Sequence, residues 1–530
     1  MSDLIKYHRT GFICCGTMAV FIQPVPAKNP QKAPNIIVIL ADDMGFSDLG
    51  CYGSEILTPN IDSLANNGIR FANFYNGARS CPSRASLLTG LYAHKAGMGD
   101  MVYSGMNKKG LPAYQNHLSN NTITIAELLK QKDYHTFMSG KWHLGDSLPN
   151  WPANRGFDRY FGLISGASNY FDISTPANAG TKRVLATGNT EIESTPEGFY
   201  ITKAITDSAI NMINSVRDEK PFFLYLSYTA PHWPLQAEAE DIAKFKGFYD
   251  NGWDEIRHKR LEKLNTTGLF SEKLVLSERN ETVPEWNICA DKPTAIRKME
   301  VYAAMIYRMD AEIGKLLREL KSKGLDKNTI IFFMSDNGAC EEHGTFGFDR
   351  MKNNSEIGTE KSFVSYGASW ANVCNTPFRY FKEKTYEGGI RNPAIVYWPA
   401  LANRKSSVVE KQTHLMDILP TITEITGAKY PDKYNGHNIP KMDGISFLAD
   451  LKGQNGKKHR FLAWEHEGNK AIIMGNFKCV KHRNGNWKMY NLKNDKTETI
   501  NIIENNKKRF NKMMGMYANW EKSNGVVEFE

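Results

Sequence analysis

Apolar positions along the chain fall into two textures. The first is short and unbroken: Asn35–Leu40 (NIIVIL), Phe222–Tyr228 (FFLYLSY) and Thr329–Ser335 (TIIFFMS) are β-branched and aromatic runs with little polar alternation. Ile69–Tyr75, His135–Gly140 and Pro393–Trp398 are weaker runs of similar length. Such runs predict strands buried on both faces. The second texture recurs every three or four residues. Tyr302, Met305, Ile306, Met309, Ile313, Leu316 and Leu317 share one side of a helix predicted within Pro293–Lys323 and ended by Gly324. Shorter helices are predicted at Thr124–Gln131, Phe199–Val216 and Thr413–Thr426. Pro149–Gly198 reads as long loops and Glu238–Glu285 as an irregular, charged insertion.

Alternating strand and helix predict an α/β fold, a mostly parallel sheet flanked by helices. Between Ala428 and Pro440 the texture changes to Pro, Asn, Gly and Lys. A boundary there separates a domain over 28–430 from a smaller α+β domain over 431–530. The smaller part carries short alternating runs at Phe461–Glu467, Ala471–Met474, Phe477–Lys481 and Lys488–Leu492. These predict an antiparallel sheet with a hairpin turn at Gly475-Asn476, closed by a helix over Asn501–Trp520.

Polar residues gather where the buried runs stop. Asp42 and Asp43 follow the first, Lys141 and His143 follow His135–Gly140, His232 follows Phe222–Tyr228, and Asp336 and Asn337 follow Thr329–Ser335. In open parallel sheets ligands collect beyond the carboxyl ends of the strands, so these clusters point to one site. Asp42, Asp43, Asp336 and Asn337 offer only hard oxygen ligands, which suit Ca²⁺ or Mg²⁺ and disfavour zinc or copper. A fifth stretch, Asn76–Leu91, turns into a helix. Ser83 is its predicted N-cap, Arg84–Thr89 its body and Gly90 its stop. That places Ser80 just ahead of a helix N-terminus, a partly positive position suited to an anionic substrate.

Length and composition fit a folded protein: 530 residues, 41% hydrophobic and 23% charged, allow a large core. A net charge of +9 favours anionic partners. No aromatic-interleaved basic stripe is present, which argues against nucleic acid. Lys6, His8 and Arg9 precede the apolar run Gly11–Ile22, and Val25-Pro26-Ala27 resembles a cleavage site. Residues 1–27 are therefore expected to be an export signal, with no membrane span, and the protein periplasmic or secreted. The cysteines are scattered without a CxxC pair, so neither a disulfide framework nor structural zinc is suggested.

Ser80-Cys81-Pro82-Ser83-Arg84, followed by Leu87-Leu88-Thr89-Gly90, resembles the signature of the type I sulfatases, in the alkaline-phosphatase-like superfamily. With Ser80 first, Pro82 and Arg84 stand at the family spacing; with Cys81 first they do not. The resemblance extends from Asn35 to the late segments Glu465–Asn469 and Gly475–Lys478. It implies that Ser80 is the modified residue, oxidised to Cα-formylglycine. The Ser form implies an anaerobic sulfatase-maturating radical enzyme as a partner. It further implies that Asp42, Asp43, Ser80, Asp336 and Asn337 hold one Ca²⁺. By the same resemblance Arg84 steadies the formylglycine, Lys141 touches it and the sulfate, and His143 orients it and serves as base. His232 and Lys382 meet the leaving-group oxygen, with His232 as general acid.

The implied reaction is covalent hydrolysis of a sulfate ester. One hydroxyl of the hydrated aldehyde attacks sulfur and expels the alcohol; deprotonation of the other ejects sulfate. Two further readings stand beside it: a phosphonate or phosphate ester hydrolase using the same site, and a sulfated-glycan binding protein whose Ser80 stays serine. The expected substrate is a sulfated small molecule or glycan. Asn169-Tyr170-Phe171 and Trp370-Ala371-Asn372 are candidate sugar-cradling loops, and His466 and Asn469 candidate substrate contacts from the smaller domain.

Overall fold

The computed structural model describes Gly11 and residues 32–102, 110–175 and 183–529. Apart from Gly11, the expected export signal lies outside the described residues. No helix among them is long and apolar enough to cross a membrane.

The strands of the large sheet are β1 (Asn35–Ala41), β2 (Ile69–Tyr75), β3 (His135–Gly140), β4 (Arg159–Leu163), β5 (Leu185–Thr187), β6 (Thr190–Ile192), β7 (Phe222–Ser227), β8 (Thr329–Ser335), β9 (Arg391–Tyr397), β10 (Ser407–Val409) and β11 (Thr413–His414). Their order is β10-β2-β9-β8-β1-β7-β3-β4-β5-β6, with β11 also on β2. The centre, β8-β1-β7-β3, is parallel; β9 runs antiparallel to both its neighbours. All seven residues of β1 are buried. Its side chains alternate between two cores: Ile37 and Ile39 enter one, Ile36, Val38 and Leu40 the other. This is why NIIVIL shows no polar alternation.

The long amphipathic helix, Lys292–Ser322, covers the first core with Tyr302, Met305, Ile306, Met309, Ile313 and Leu316 fully buried. The helices Ser80–Thr89, Ile125–Lys130 and Ile418–Thr426 cover the second.

Three expectations are corrected. Pro149–Gly198 holds β4, β5 and β6 at the sheet edge. The weak signal at β4 has a cause: Gly162 lies at φ 150°, where a Cβ would stand 2.0 Å from the Gly140 carbonyl oxygen, so the strand carries glycine for close approach. Glu238–Glu285 contains the helices Ala239–Ala243 and Gly252–Leu264. The second hides from a hydrophobic pattern because Arg257 and Arg260 are among its buried residues. Arg260 reaches Asp48 at 2.6 Å and Glu55 at 2.8 Å. The helix after Asn76 begins at Ser80, with Arg79 as N-cap. Ser83 does not cap it; its hydroxyl accepts a hydrogen bond from the Gly77 amide at 2.8 Å, and Pro82 sits in the first turn where its missing N–H is tolerated.

A small hairpin, β12 (Lys433–Tyr434) with β13 (His437–Asn438), precedes the C-terminal sheet. That sheet is the expected antiparallel meander: β14 (Leu462–His466), β15 (Asn469–Met474), β16 (Phe477–Lys481) and β17 (Lys488–Asn491). One face (Ala463, Ile472, Cys479, Met489) packs on Met513, Tyr517 and Trp520 of the last helix, Lys507–Asn524. The other (Leu462, Trp464, Ala471, Ile473, Val480) packs on Tyr75, Ile390 and Met416.

Candidate active site

Strand register assembles the site. Ala41 of β1 stands beside Ser335 of β8, Leu40 beside Ser227 of β7, and Gly140 of β3 beside the same Ser227. Parallel strands ending level with one another release their next residues side by side. Asp42-Asp43, Asp336-Asn337 and Lys141 therefore emerge at one edge. Asp43 and His143 adopt positive φ (64° and 57°), which turns each chain sharply after its strand.

Ser80 reaches this edge from the first helical position and is buried. Its Oγ lies 3.3 Å from Asp42 Oδ1 and 3.3 Å from Asn337 Oδ1. Asn337 Nδ2 donates to Asp43 Oδ1 at 2.6 Å, and the Asp43 amide donates to Asp336 Oδ1 at 3.1 Å. Arg84, one helical turn beyond Ser80, grips Asp336 Oδ2 through Nε (3.1 Å) and Nη2 (2.9 Å). Its Nη1 donates to the Lys141 carbonyl at 3.0 Å. Lys141 Nζ donates to Asp42 Oδ2 at 2.6 Å, and Lys382 Nζ to Asp43 Oδ2 at 2.8 Å. His232 Nε2 lies 3.4 Å from both Lys382 Nζ and Asp43 Oδ2, while its Nδ1 contacts the Trp233 carbonyl at 2.7 Å. His143 is buried, and its Nδ1 has no hydrogen-bond partner. Gly166 makes room for it, since a Cβ there would stand 2.8 Å from His143 Nε2.

Burial and charge oppose one another here. Burial pushes Asp42 up to about 7, against the pull of Lys141. Asp43 is held down at about 2 despite its burial, because Lys382 and His232 face it. His232 falls to about 3 and His143 well below its usual range, both through burial, with the Lys141 charge adding to the effect at His143. Lys141 is lowered by burial, whereas Asp43 holds Lys382 well above the ordinary lysine range. Both imidazoles are thus neutral bases in this state. Three buried carboxylates, linked through the Asp43 amide and Asn337, with the serine hydroxyl against Asp42 and the Asn337 oxygen, form an all-oxygen donor set that fits a hard divalent cation.

The family model for sulfatases matches residues 34–428. The chain belongs to the sulfatase family. It is 33% identical to an uncharacterised sulfatase of Schizosaccharomyces pombe over 94% of this chain and 95% of that one. It is 38% identical to an arylsulfatase of Klebsiella aerogenes over 79% and 92%. Among solved structures, Ps i-CgsB in complex with k-i-k-neocarrahexaose aligns at TM-score 0.68 and 29% identity, covering 93% of this chain and 94% of that one. The fold is the alkaline-phosphatase-like one, and the protein is a sulfuric ester hydrolase.

All ten residues expected to be catalytic or metal-binding lie together at this strand edge, and His143 alone makes no polar contact with the rest. Tyr170 and Trp370, from the two expected sugar-cradling loops, are engaged within the fold. Tyr170 is buried and donates to the Thr229 and His232 carbonyls, so it props the His232 loop. Trp370 lies inside the helix Gly367–Cys374 and donates to the Ala295 carbonyl at 2.8 Å. The side-chain amide of Asn469 donates to the His466 carbonyl and accepts from the Arg483 amide within its own hairpin. His466 is fully buried, with neither ring nitrogen hydrogen-bonded.

Sequence reasoning missed Glu342 and Arg79. Glu342 Oε1 lies 3.1 Å from Arg79 Nη2 and 3.5 Å from Lys382 Nζ, and its Oε2 accepts from Trp233 Nε1 at 2.9 Å. Each adjoins a singled-out motif, Arg79 directly before Ser80 and Glu342 five residues after Asn337. Adjacency was the available signal.

Proposed function

We propose that this sulfatase hydrolyses sulfate esters of carbohydrates, with aryl sulfates as a simpler second class, and that Ser80 works as a formylglycine beside one Ca²⁺. The observation that carries this is Ser80 itself: a buried hydroxyl at a helix N-terminus, 3.3 Å from oxygens of Asp42 and Asn337, in a cluster whose carboxylates Asp42 and Asp43 are met by Lys141 and Lys382. A bare serine would be a weak nucleophile there, because its Oγ contacts only the Asp42 carboxylate and the Asn337 amide oxygen, each at a long 3.3 Å, and no imidazole.

Asp42, Asp43, Asp336 and Asn337 would hold the calcium, with residue 80 completing the set. Together the modified residue and the ion would supply a nucleophilic hydroxyl, a second hydroxyl to release sulfate, and charge to polarise the ester. Arg84 fixes Asp336 and the Lys141 carbonyl, keeping the first helical turn against the sheet edge. Lys141 and Lys382 present ammonium groups to anionic oxygens where charge grows in the transition state. His143, neutral and with Nδ1 unengaged, is placed to accept a proton. His232 gives a proton to the departing alcohol oxygen. It is neutral before substrate arrives; the negative sulfate raises its proton affinity, so that it takes up a proton from solvent, and this is the proton it passes to the leaving oxygen, with the Lys382 ammonium alongside.

A carbohydrate is favoured by the neocarrahexaose carried by a structural neighbour and by the net charge of +9. Export to the periplasm or beyond, after maturation by an anaerobic radical enzyme, completes the proposal. Peptide mass spectrometry over position 80 tests the modification, which removes about two hydrogens' mass from serine. A screen of position-defined sulfated saccharides and an aryl sulfate tests the substrate class. A phosphonate or phosphate ester hydrolase is the second reading, since a phosphonate monoester hydrolase shares the fold. Matched sulfate and phosphate esters of one alcohol separate the two, and preference for the phosphate would overturn the first. Unmodified Ser80 with no turnover of any ester would instead favour the glycan-binding protein.

A further inference from the structure

His466 ends β14 and enters the turn to β15, and its imidazole is enclosed with both nitrogens unpartnered. A fully buried imidazole normally satisfies at least one nitrogen, so two orphaned ones call for an explanation. The neighbouring residues supply it. Asp100 and Glu467 each bring a carboxylate oxygen to a His466 nitrogen, and the three atoms lie within 4.8 Å of one another. His466 Nε2 and Glu467 Oε1 are 3.7 Å apart, beyond hydrogen-bond reach. Ligands at about 2.1 Å around a tetrahedral ion stand about 3.4 Å apart, so this pair needs to close by only a few tenths of an ångström. Glu467, held at φ 47° in the turn, is partly exposed and gives the cluster a side open to solvent.

We infer that Asp100, His466 and Glu467 form a second metal site, for a divalent transition ion of the Zn²⁺ class. Its donor set of one imidazole and two carboxylates differs from the all-oxygen set around Ser80, so the two sites select different ions. Three protein ligands leave a position for water or for a substrate hydroxyl. Arg79, the residue before Ser80, interacts electrostatically with Glu467, which sets the second site beside the rim of the first. His466 then acts as a metal ligand in place of the direct substrate contact expected from sequence.

The test uses the full-length protein with saturating Ca²⁺ present, so that the Ser80 site does not compete. Co²⁺ titration followed by visible absorption, and Zn²⁺ titration by calorimetry, are expected to show about one equivalent bound, with d–d bands that report nitrogen ligation. His466→Gln, which keeps side-chain bulk, and Asp100→Asn should each weaken binding by about a hundredfold or more. Calcium content and the circular dichroism spectrum should stay as in wild type, separating ligand loss from misfolding. Absence of a second ion in wild type overturns the inference, as does unchanged affinity in both variants. A raised KM in His466→Gln without metal binding in wild type would return His466 to direct substrate contact. The binding outcomes do not depend on turnover of a sulfate ester; only the KM comparison does.

Discussion

Glu342 stands 3.5 Å from the Lys382 ammonium, which Asp43 meets at 2.8 Å, so that two carboxylates share one lysine. Lys382 sits on a loop whose neighbour Glu383 is at φ 75°, and its amide donates to the Ala339 carbonyl at 3.0 Å. Glu342 also fixes the indole of Trp233, the residue after His232. One carboxylate thus orients both groups assigned to the leaving oxygen. Glu342→Gln keeps the shape and the indole acceptor but removes the charge. We expect kcat/KM to fall about 10- to 100-fold, the scale seen when a group supporting a functional side chain is lost. Steady-state kinetics on an aryl sulfate measure it, and a loss below about twofold would contradict the role.

Truncation of Ser80 bears on the centre of the scheme. Ser80→Ala, expressed with the anaerobic maturation enzyme, should lose at least about four orders of magnitude in kcat, as expected when a covalent nucleophile is removed. Its thermal midpoint measured without calcium should stay near wild type, since Ser80 Oγ makes only two long contacts of 3.3 Å. Substantial residual turnover would place the nucleophile elsewhere.

Chelation should act on stability as well as rate. Asp42, Asp43 and Asp336 crowd three buried carboxylates together, and Asp42 is pushed up to about 7 by burial. Calcium binding to the folded state alone would add about 2.7 kcal/mol at a hundredfold excess over Kd. EGTA is therefore expected to lower the thermal midpoint and abolish activity together, with Ca²⁺ restoring both. Asp43→Asn should blunt the calcium response of the midpoint. If wild type melts identically with and without calcium, the oxygen cluster is not a calcium site.

A buried ionic cluster ties the C-terminal sheet to the rest. Lys478 Nζ of β16 lies 2.8 Å from Glu387 Oε1 and 2.8 Å from Glu498 Oε1. Arg391 contacts the other Glu387 oxygen, and all four side chains are essentially unexposed. Replacing Lys478 by Met leaves two carboxylates facing each other without their shared cation, a defect worth about 3–5 kcal/mol. Glu498 is already pushed up to about 7 by burial, with Glu387 adding to it, so loss of Lys478 drives it further towards the neutral acid. Denaturant unfolding measures the loss. A variant as stable as wild type would show that the sheet docks through its apolar face alone.

Legibility in the sequence tracked how uniformly each element is buried. β1, β7 and β8 were plain because both faces are apolar, and their polar C-terminal neighbours gave the site. Gly252–Leu264 was obscured because its inner face carries Arg257 and Arg260, and the partners of Arg260, Asp48 and Glu55, lie far away in sequence. β4 was obscured by Gly162, which is there for close backbone approach. Glu342 and Asp100 share that difficulty: each matters through contacts set by the fold, and neither lies in a periodic pattern. Strand ends are local facts of the sequence; pairings across 200 residues are not.

His414 is expected to set part of the acid limit of stability. It is buried at the end of β11, with Nδ1 3.1 Å from the Met416 amide and Nε2 3.1 Å from the Asn76 carbonyl. This arrangement requires the neutral ring: Nε2–H donates to Asn76, and Nδ1 accepts from Met416. Burial pushes its pKa down to about 4, with Asp417 pulling the other way. A histidine depressed in the folded state contributes stability that is present above its unfolded value, about 6.5, and lost as pH falls through the folded one. The window is therefore pH 6.5 to about 4. With about 1.4 kcal/mol per unit, the contribution at stake is about 3 kcal/mol. Glutamine can donate and accept at once without titrating. His414→Gln should accordingly unfold at a denaturant midpoint that varies less with pH than wild type across this window, whatever its absolute stability. Parallel loss of stability in the two proteins from pH 6.5 to 4 would show that His414 is not the group responsible.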